Sequence, residues 1–380
     1  VDNSRIALGD IASLWSSAFT LPIVAITGSC GKTTVKEMTA AILGHGYKSK
    51  TCEGYEHILA TRGNLNNDIG VPLTLLRLNC EHEAAVIELG ANHIGEIKQL
   101  VNIVQPNVAL ITNVAPAHIE GFGSIEGVAQ AKSEIYEGLE HDGTAVINAD
   151  DSFAEFWKNK CTELAKTELK IVTFGLNKTA DISATYEQTS EGMTLTISTP
   201  IGEQQVRLKQ YGRHNVYNAL AATAAAIASG CSLDDVKKGL ESFSNVSGRL
   251  EKKSGINGSV VFDDTYNANP GSVKAGIEAI QQIDGEAVLI FGDMGELGDE
   301  SETLHYQLGE DAARMGIRQL FTVGSLTEQT NQGFQSVINE LNKSEVEAKH
   351  FADKASLIDY VKKCLQQNHV VLVKGSRTMG

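Results

Sequence analysis

The chain alternates short runs of β-branched and aliphatic residues with helical patterns, and this alternation restricts its fold more than any other feature. After the first apolar run, at residues 22–27, apolar residues recur at the three- to four-residue spacing of a helix, namely Val35, Met38 and Ile42. Short apolar runs separated by helices are typical of parallel sheets that are covered on both faces. The sequence therefore predicts an α/β fold, with strands in the segments 22–27, 84–89, 108–113 and 144–149.

The alternation of strands and helices is then interrupted, and it resumes later in the chain. Residues 195–209 alternate in the manner of antiparallel strands, and residues 218–230 form a helical pattern of small residues. A second α/β series begins near residue 247, after the turn-forming segment SNVSGR. Its strands are expected in the segments 259–264, 287–293, 319–324 and 369–375. We place a domain boundary between residues 246 and 247.

Length and charge narrow the functional classes. A chain of 380 residues is expected to form two or three domains. Its formal net charge of −15 disfavours general nucleic-acid binding, because such binding needs a basic surface. No apolar run approaches the roughly 18 residues needed to span a membrane, and the six scattered cysteines fit a reducing compartment. We expect a cytoplasmic protein with no membrane span.

The segment TGSCGKTT has the composition of a phosphate-binding loop, but it is two residues shorter than the usual pattern. The usual loop has four residues between its first glycine and Gly-Lys-Ser/Thr, whereas only two residues separate Gly28 from Gly31 here. A predicted strand precedes the segment and a helix begins at Thr33, which is the context that such a loop requires. Lys32 would then contact the β- and γ-phosphates of ATP, and Thr33 would bind magnesium. The alternative is an ordinary strand–turn–helix joint with an exposed lysine.

This loop resembles the shortened phosphate loop of the Mur ligase superfamily, which includes folylpolyglutamate synthase. The resemblance extends over nearly the whole chain, because further stretches match in order and spacing. Cys30 departs from the asparagine or serine expected in the loop, but a loop that binds through its backbone should tolerate this change. The matching stretches are TRGNLNNDIGVPLTLL (61–76), IELGANHIGEI (87–97), NVAPAHIEGFGSIEGVAQAKSEIYEGL (113–139), GRHNVYNALAA (212–222), SGRLE (247–251), DDTYNANP (263–270), FGDMGELG (291–298) and VLVKGSR (371–377).

Within the superfamily, the chain is most similar to the members that join D-Ala-D-Ala to UDP-N-acetylmuramoyl-tripeptide in peptidoglycan precursor synthesis. The resemblance implies ATP-driven amide formation through an acyl phosphate. It also implies a central P-loop-type ATPase domain with a mostly parallel sheet at residues 22–246. A C-terminal Rossmann-like α/β domain that binds the amine substrate would span residues 247–380. Residues 1–21 resemble a linker that follows a UDP-binding domain, and we expect a monomer.

The resemblance also implies two magnesium ions and a modified lysine. It assigns metal binding to Thr33, Glu88, His118 and Lys132, and the last of these would carry carbon dioxide as a carbamate. Glu88 ends a predicted strand, so it should lie at the ligand-binding edge of the sheet. The alternatives are a helix cap or solvated acid for Glu88, a surface histidine for His118 and a solvated lysine for Lys132.

Nucleotide binding is assigned by the same resemblance to residues from both predicted domains. Arg249 lies at the domain boundary, so it could reach the γ-phosphate, although a salt bridge at the hinge is an equal alternative. Asn215 would bind adenine with support from Asn218, or both asparagines would cap the helix that follows. The complete set is Gly28, Ser29, Cys30, Gly31, Lys32, Thr33, Thr34, Asn215, Asn218, Arg249, Asp264 and Asn267, of which Lys32 and Arg249 are also catalytic candidates together with Glu88, His118 and Lys132.

The two substrates would contact different segments. Thr61, Asn66 and Asn67 match the contact of the family with the UDP-sugar-peptide, although asparagines and glycines also form ordinary turns. Lys374, Ser376 and Arg377 follow the last predicted strand, where backbone N–H groups and a guanidinium could hold the carboxylate of the dipeptide.

Two alternative functions remain at this point. The chain could be another ligase of the superfamily, either the one that adds the third peptide residue or folylpolyglutamate synthase. It could also be a regulatory ATPase that forms no covalent product. The motifs DDTYNANP and GDMGELG favour the dipeptide-adding ligase, and the trio Glu88, His118 and Lys132 disfavours a simple nucleotide switch.

Overall fold

The computed structural model describes residues 2–47, 56–115, 119–164, 169–189, 191–341 and 346–379. Up to residue 174, the elements are α1 (Ser4–Ser16), β1 (Ile23–Thr27), α2 (Lys32–Gly46), β2 (Ile58–Ala60), α3 (Gly70–Leu75), β3 (Ala84–Glu88), α4 (Glu96–Val104), β4 (Val108–Ile111), α5 (Ile119–Phe122), α6 (Ile125–Ser133), β5 (Thr144–Asn148), α7 (Ala154–Glu163) and β6 (Lys170–Phe174). The remaining elements are β7 (Ser183–Thr189), β8 (Gly192–Thr199), β9 (Gly202–Leu208), α8 (Arg213–Ala228), α9 (Leu233–Ser242), β10 (Glu251–Ser254), β11 (Val260–Asp264), α10 (Pro270–Gln281), β12 (Glu286–Gly292), α11 (Ser301–Arg314), β13 (Gln319–Val323), α12 (Thr327–Glu340), β14 (Glu347–Phe351), α13 (Lys354–Cys364) and β15 (His369–Lys374).

The first sheet is parallel throughout the described residues and has the strand order β2-β3-β1-β4-β5-β6. Every residue of β1 is buried, which explains why the strand is an unbroken apolar run rather than an alternating one. Val24 and Ile26 face a core built with α2, α8 and α9, whereas Ile23 and Ala25 face a second core on the other side. The sheet is therefore covered on both faces, and its ligand-binding edge lies where β1, β3 and β4 end.

A small antiparallel sheet, β7-β8-β9, follows the first parallel sheet. Its buried residues Leu195, Ile197 and Val206 join the core that contains α8. The alternation predicted for residues 195–209 is thus confirmed, because one face of this sheet is buried and the other faces solvent.

The second parallel sheet has the order β10-β11-β15-β12-β13-β14, in which only β10 is antiparallel to its neighbour within the described residues. Phe262, Leu289 and Leu372 lie in its larger core, which is built with α10, α11 and α12. The mixed α/β fold expected from the alternation is confirmed. Five strands were not predicted from the sequence, namely β2, β6, β7, β10 and β14, because they are short or polar and lie at the edges of their sheets.

Within the described ranges, no helix combines the length and the apolar character needed to cross a membrane.

The contact between α11 and α12 generates a prediction about stability. A Cβ atom on Gly309 would lie 1.9 Å from the Thr330 carbonyl oxygen and 2.7 Å from the Phe334 nitrogen, so the two helix backbones approach too closely for any side chain. We expect Gly309→Ala to lower the free energy of unfolding by about 2 kcal/mol, although alanine favours helices by roughly 1 kcal/mol over glycine. Urea denaturation measures the change. Gln307→Ala, at an exposed position of the same helix, is the control, and an equally stable Gly309→Ala protein would contradict the packing argument.

Candidate active site

The carboxyl ends of the two parallel sheets border one cleft of about 650 Å3. The carboxyl edge of a parallel sheet is where ligands of α/β proteins usually bind. Most of the residues predicted from the sequence line this cleft, although they come from segments far apart in the chain. They are Ser29, Cys30, Gly31, Lys32, Thr33, Thr34, Asn66, Glu88, Asn215, Asn218, Arg249, Asp264, Asn267 and Lys374.

The phosphate loop is held from the end of the neighbouring strand β4. Asn113 accepts a hydrogen bond from the Cys30 N–H at 3.0 Å, and it donates through Nδ2 to the Cys30 carbonyl at 3.1 Å. The Thr112 hydroxyl donates to the same carbonyl at 2.6 Å. Gly28 is required here, because its φ is 148° and a Cβ atom would lie 1.8 Å from Thr112 Oγ1. These contacts fix the loop despite its two missing residues.

The loop leads into the N-terminus of α2 in a geometry that suits an anion. Gly31 precedes the helix in the left-handed region at φ 84°, and no side chain caps the helix there. The first N–H groups of a helix have no partner within it, so they are free to bind a phosphate. Lys32 Nζ donates to the Gly28 carbonyl at 2.7 Å, which folds the lysine back over the loop. The alternative of an exposed lysine at a simple joint does not fit this arrangement.

Glu88 is buried at the centre of a hydrogen-bonded cluster. Its Oε2 accepts from the Thr33 hydroxyl at 2.9 Å, and its Oε1 accepts from Asn66 Nδ2 at 2.9 Å. The Glu88 N–H donates to Thr61 Oγ1 at 2.9 Å, so the strand end is also fixed. Glu88 is only 3% exposed, which excludes a solvated acid. A hydroxyl and a carboxylate at this distance are oxygen ligands of the type that Mg²⁺ prefers.

Lys132 is also buried, which was not expected from its position on a helix. The residue is 3% exposed, and its ammonium lies 5.8 Å from the ring centroid of Phe122. Burial, and then the charge of Lys32, lowers the pKa of Lys132 to about 7. The solvated lysine is therefore excluded, and a neutral amine is accessible near pH 7. His118, the remaining predicted metal ligand, lies outside the described residues.

Arg249 reaches across the cleft from the segment that precedes β10. Its Nη2 donates to Thr33 Oγ1 at 3.0 Å, and its guanidinium carbon lies 4.1 Å from the ring centroid of Tyr266. Arg249 Nε is buried and has no hydrogen-bond partner among the described residues. These contacts are with a hydroxyl and a ring rather than with a carboxylate, so they favour the phosphate-binding prediction over a salt bridge at the hinge.

Asn215, which was predicted to bind adenine, and its predicted support Asn218 form hydrogen bonds within the protein. Asn215 Nδ2 donates to the Tyr211 carbonyl at 2.9 Å, and Asn215 Oδ1 accepts from Asn218 Nδ2 at 2.9 Å. The Asn215 amide therefore holds Asn218 in place, and Asn218 in turn lies against Gly31, where a Cβ atom would be 2.5 Å from Asn218 Oδ1. This geometry supports a role in positioning the phosphate loop, and direct contact with adenine stays a prediction.

Lys374 and Asp264 were predicted to bind different substrates, but the structure pairs them with each other. Lys374 Nζ donates to Asp264 Oδ2 at 2.5 Å and to the Asn267 carbonyl at 3.0 Å. The other carboxylate oxygen, Asp264 Oδ1, accepts from the Leu250 N–H at 3.1 Å. Because its charge is already neutralised, Lys374 is poorly suited to hold the carboxylate of the dipeptide. This pair instead fixes the backbone next to Arg249.

The remaining predicted substrate residues lie outside the lining of the cleft. Thr61 is 1% exposed and positions Glu88, as described above. Asn67 Oδ1 accepts from the Gly70 N–H at 2.9 Å, which is the turn chemistry weighed against its substrate role. The Ser376 hydroxyl is buried beside Thr378 Oγ1 at 2.7 Å, whereas Arg377 is exposed and near Tyr266.

Comparison with known proteins decides the family. Residues 26–226 match the Mur ligase middle domain, and residues 248–377 match the Mur ligase glutamate ligase domain. The chain belongs to the Mur ligase family. The UDP-N-acetylmuramoyl-tripeptide–D-alanyl-D-alanine ligase of Haemophilus influenzae is 45% identical over 386 residues, which cover 100% of this chain and 79% of that protein.

Solved structures of Mur ligases agree with this assignment. A crystal structure of MurF from Acinetobacter baumannii is 38% identical with a TM-score of 0.87, and the match covers 100% of this chain and 79% of the other. The MurF ligase of Thermotoga maritima in complex with ADP is 25% identical with a TM-score of 0.83, and the match covers 100% and 82% of the two chains. The predicted family, fold class and ATP-dependent ligase activity are confirmed by these comparisons.

Several residues of this Mur ligase site were missed in the sequence. Lys36 is 1% exposed and donates to the Thr61 carbonyl at 2.6 Å, so it supports the segment that carries Thr61 and Asn66. A lysine within the apolar pattern of α2 was the available signal. Asp150 lines the cleft and accepts from the Tyr217 hydroxyl at 2.8 Å. An acid directly after a predicted strand was the corresponding signal for this residue.

The buried pair of Lys374 and Asp264 generates a testable prediction. Their side chains are 2% and 17% exposed, so removing one partner leaves the other charge poorly compensated. We expect Lys374→Met to lower the free energy of unfolding by about 2 kcal/mol, and the double variant with Asp264→Asn to lose less than the sum of the two single changes. Chemical denaturation measures all three variants.

The control is Lys253→Met, because Lys253 pairs with Asp263 at 2.5 Å but is 45% exposed. Its loss should cost less than about 1 kcal/mol. A raised KM for the dipeptide in Lys374→Met, without any loss of stability, would instead support direct substrate binding by Lys374.

Proposed function

We propose that this protein is an ATP-dependent ligase that joins D-Ala-D-Ala to UDP-N-acetylmuramoyl-tripeptide in peptidoglycan precursor synthesis. The observation that carries the proposal is the cluster of Lys32, Thr33, Glu88 and Arg249, which places phosphate-binding and oxygen-ligand groups in one cleft. The name of the Haemophilus influenzae relative supplies the two substrates. The reaction takes place in the cytoplasm, where ATP and nucleotide-linked precursors occur, and it supports wall growth and hence cell shape and division.

The first half-reaction transfers a phosphoryl group. A carboxylate oxygen of the tripeptide attacks the γ-phosphorus of ATP, the bond to the bridging oxygen breaks, and ADP leaves with that electron pair. The backbone N–H groups at the start of α2 and the Lys32 ammonium hold the phosphates. Arg249 Nε, which is buried and has no partner among the described residues, is a donor available for the charge that develops on the transferred group.

Magnesium fits the residues that are present, even though no group of three His, Cys, Asp or Glu side chains capable of holding a metal occurs among the described residues. Mg²⁺ is usually bound by one or two carboxylates together with phosphate oxygens and water. Thr33 and Glu88 would hold it, and Asn66 would keep the Glu88 carboxylate oriented. When bound, the ion neutralises the negative charge of the phosphates. The second ion would need His118 and the carbamate of Lys132.

The second half-reaction forms the amide. The free amine of the dipeptide attacks the acyl carbon, a tetrahedral intermediate forms, and its collapse expels inorganic phosphate as the amine loses a proton. Asn66, which lines the cleft beside Glu88, is our candidate contact for the tripeptide carboxylate. Arg377 is exposed at the end of the second sheet, so it remains the candidate for the carboxylate of the dipeptide.

We also propose that the protein is a monomer with a central domain at residues 22–246 and a C-terminal domain at residues 247–380.

Lys132 is proposed to carry a carbamate. The neutral amine nitrogen attacks the carbon of CO2, an N–C bond forms, and the amine proton is released to solvent, which leaves an anion in place of a cation. Two features support the proposal, namely the burial of Lys132 and its pKa of about 7 beside Lys32. An anion at this position removes the repulsion between the two lysines and supplies a metal-binding oxygen.

A phosphate-release assay tests the reaction. We expect release of phosphate from ATP only when UDP-N-acetylmuramoyl-tripeptide and D-Ala-D-Ala are both present, because the acyl phosphate is consumed by the amine. Single amino acids and glutamate with a folate acceptor are the comparison substrates. Turnover with glutamate and a folate would assign the chain to the folylpolyglutamate synthase branch, and release without any acceptor would support the regulatory ATPase.

The carbamate is tested by carbon-13 NMR of the protein in labelled bicarbonate. Because only the neutral amine reacts, the carbamate signal should be weak below pH 7 and should rise as the pH increases through about 7. Lys132→Ala should lack the signal and lose about a hundredfold or more in kcat, with partial recovery in added short-chain carboxylates. Lys98→Ala, at an exposed lysine of α4, is the control. Full activity in CO2-free buffer would contradict the proposal.

A further inference from the structure

Tyr266 is a residue of the cleft to which neither the sequence motifs nor the proposed chemistry gives a role. Its ring centroid lies 4.1 Å from the guanidinium carbon of Arg249 and 5.9 Å from that of Arg377. One ring therefore contacts the predicted phosphate-binding arginine and the candidate arginine for the dipeptide. A guanidinium within about 6 Å of an aromatic ring is attracted by the negative face of the ring.

The backbone of Tyr266 also fixes the segment that carries Arg249. The Tyr266 N–H donates to the Gly248 carbonyl at 3.0 Å, and Leu250, on the other side of Arg249, donates its N–H to Asp264. Leu250 has a φ of 53°, a conformation that costs free energy for a branched side chain and persists only when its surroundings enforce it. Both neighbours of Arg249 are thus tied to the end of β11 and the segment that follows it.

The guanidinium itself has few other restraints. Among the described residues, it contacts Thr33 Oγ1 through the hydrogen bond from Nη2 and the ring of Tyr266, while the buried Nε has no partner. The hydrogen bond alone would allow the planar group to rotate about the N–O axis. The ring removes that freedom, because the guanidinium has to stay close to the ring face to keep its contact.

We propose that Tyr266 is a positioning residue that holds Arg249 toward the phosphate site and couples this site to Arg377. The inference rests on the proposed function, since it assigns Arg249 to the phosphates and Arg377 to the dipeptide. Tyr266 acts through the two arginines, and its hydroxyl is not required. When a carboxylate binds Arg377, the charge that this arginine presents to the ring falls, and the ring interacts more strongly with Arg249.

The first test compares Tyr266→Leu with Tyr266→Phe in the whole protein. Loss of the ring should lower kcat about five- to thirtyfold, the range between an exposed and a desolvated cation–π contact, because Arg249 and Tyr266 are both half-buried. Tyr266→Phe should recover most of this loss, because it retains the ring. Tyr186→Leu is the matched control, since Tyr186 lies on β7 and is 36% exposed. Equal losses in the leucine and phenylalanine variants would overturn the proposal.

A second measurement separates positioning from a merely structural role. In an Arg249→Ala background, Tyr266→Leu should change kcat less than about twofold, because the arginine that the ring positions is absent. An undiminished effect in that background would refute the role. If Tyr266→Leu does not fold, trifluorophenylalanine can be incorporated at position 266 instead. It retains an aromatic ring, but its fluorine atoms reduce the negative potential at the ring face that attracts the guanidinium. It should then give a loss similar to that expected for leucine, and wild-type activity would contradict the proposal.

Nucleotide binding distinguishes a failure of this inference from a failure of the proposed function. Calorimetric titration with ADP and with a non-hydrolysable ATP analogue requires neither amide substrate. Tyr266→Leu should weaken the analogue about five- to thirtyfold and ADP less than twofold, because only the analogue carries a γ-phosphate. If the wild-type protein lacks ligase activity with D-Ala-D-Ala but this ratio holds, the substrate assignment is wrong and the positioning role stands. An unchanged ratio refutes the positioning role whatever the substrates are.

Discussion

A chain of two hydrogen bonds, from Arg249 to Thr33 and from Thr33 to Glu88, joins the two parallel sheets, and the geometry of the cleft depends on it. The distances are 3.0 Å and 2.9 Å, and a single hydroxyl lies between a guanidinium and a carboxylate. A hydroxyl oxygen has two lone pairs and one hydrogen, so Thr33 can serve both groups and still retain one acceptor site. Thr33, a residue of the phosphate site, is therefore also a point at which the two halves of the protein meet.

The shortened phosphate loop is understandable only in this three-dimensional setting. A full-length loop contains enough residues to wrap a phosphate with its own backbone. Here the Cys30 peptide is fixed by Thr112 and Asn113 at the end of β4, and Gly31 packs against Asn218 of α8. Contacts from two other elements thus replace the two missing residues. The amide of Asn215, which was predicted to bind adenine, belongs to the same support.

The parts of the fold that could be predicted from sequence are those with a local physical signal. β1 and β3 are fully buried, so their apolar runs predicted them, and the glycines and Lys32 predicted the loop between β1 and α2. The edge strands β10 and β14 have no such signal, because their sequences EKKS and EAKHF meet solvent on at least part of their surface. Ion pairs between residues that are far apart in the sequence could not be predicted either. Lys374 and Asp264 are 110 residues apart, and each alone resembled a substrate-binding residue.

The acidic composition of the chain gives no indication of the charge in the cleft. Lys32, Lys374 and Arg249 line the cleft in a protein of net charge −15, and Lys132 lies close enough to Lys32 for the charge of Lys32 to affect it. They are not equivalent, because Asp264 neutralises Lys374 and burial brings the pKa of Lys132 to about 7. Lys32 and Arg249 therefore remain as the two that donate to a carbonyl and to a hydroxyl rather than to a carboxylate. Lys32 lies beside the first parallel sheet, and Arg249 lies beside the second. A phosphate group can therefore contact both cations only when the two sheets adopt the arrangement that the hydrogen bond to the Thr33 hydroxyl maintains.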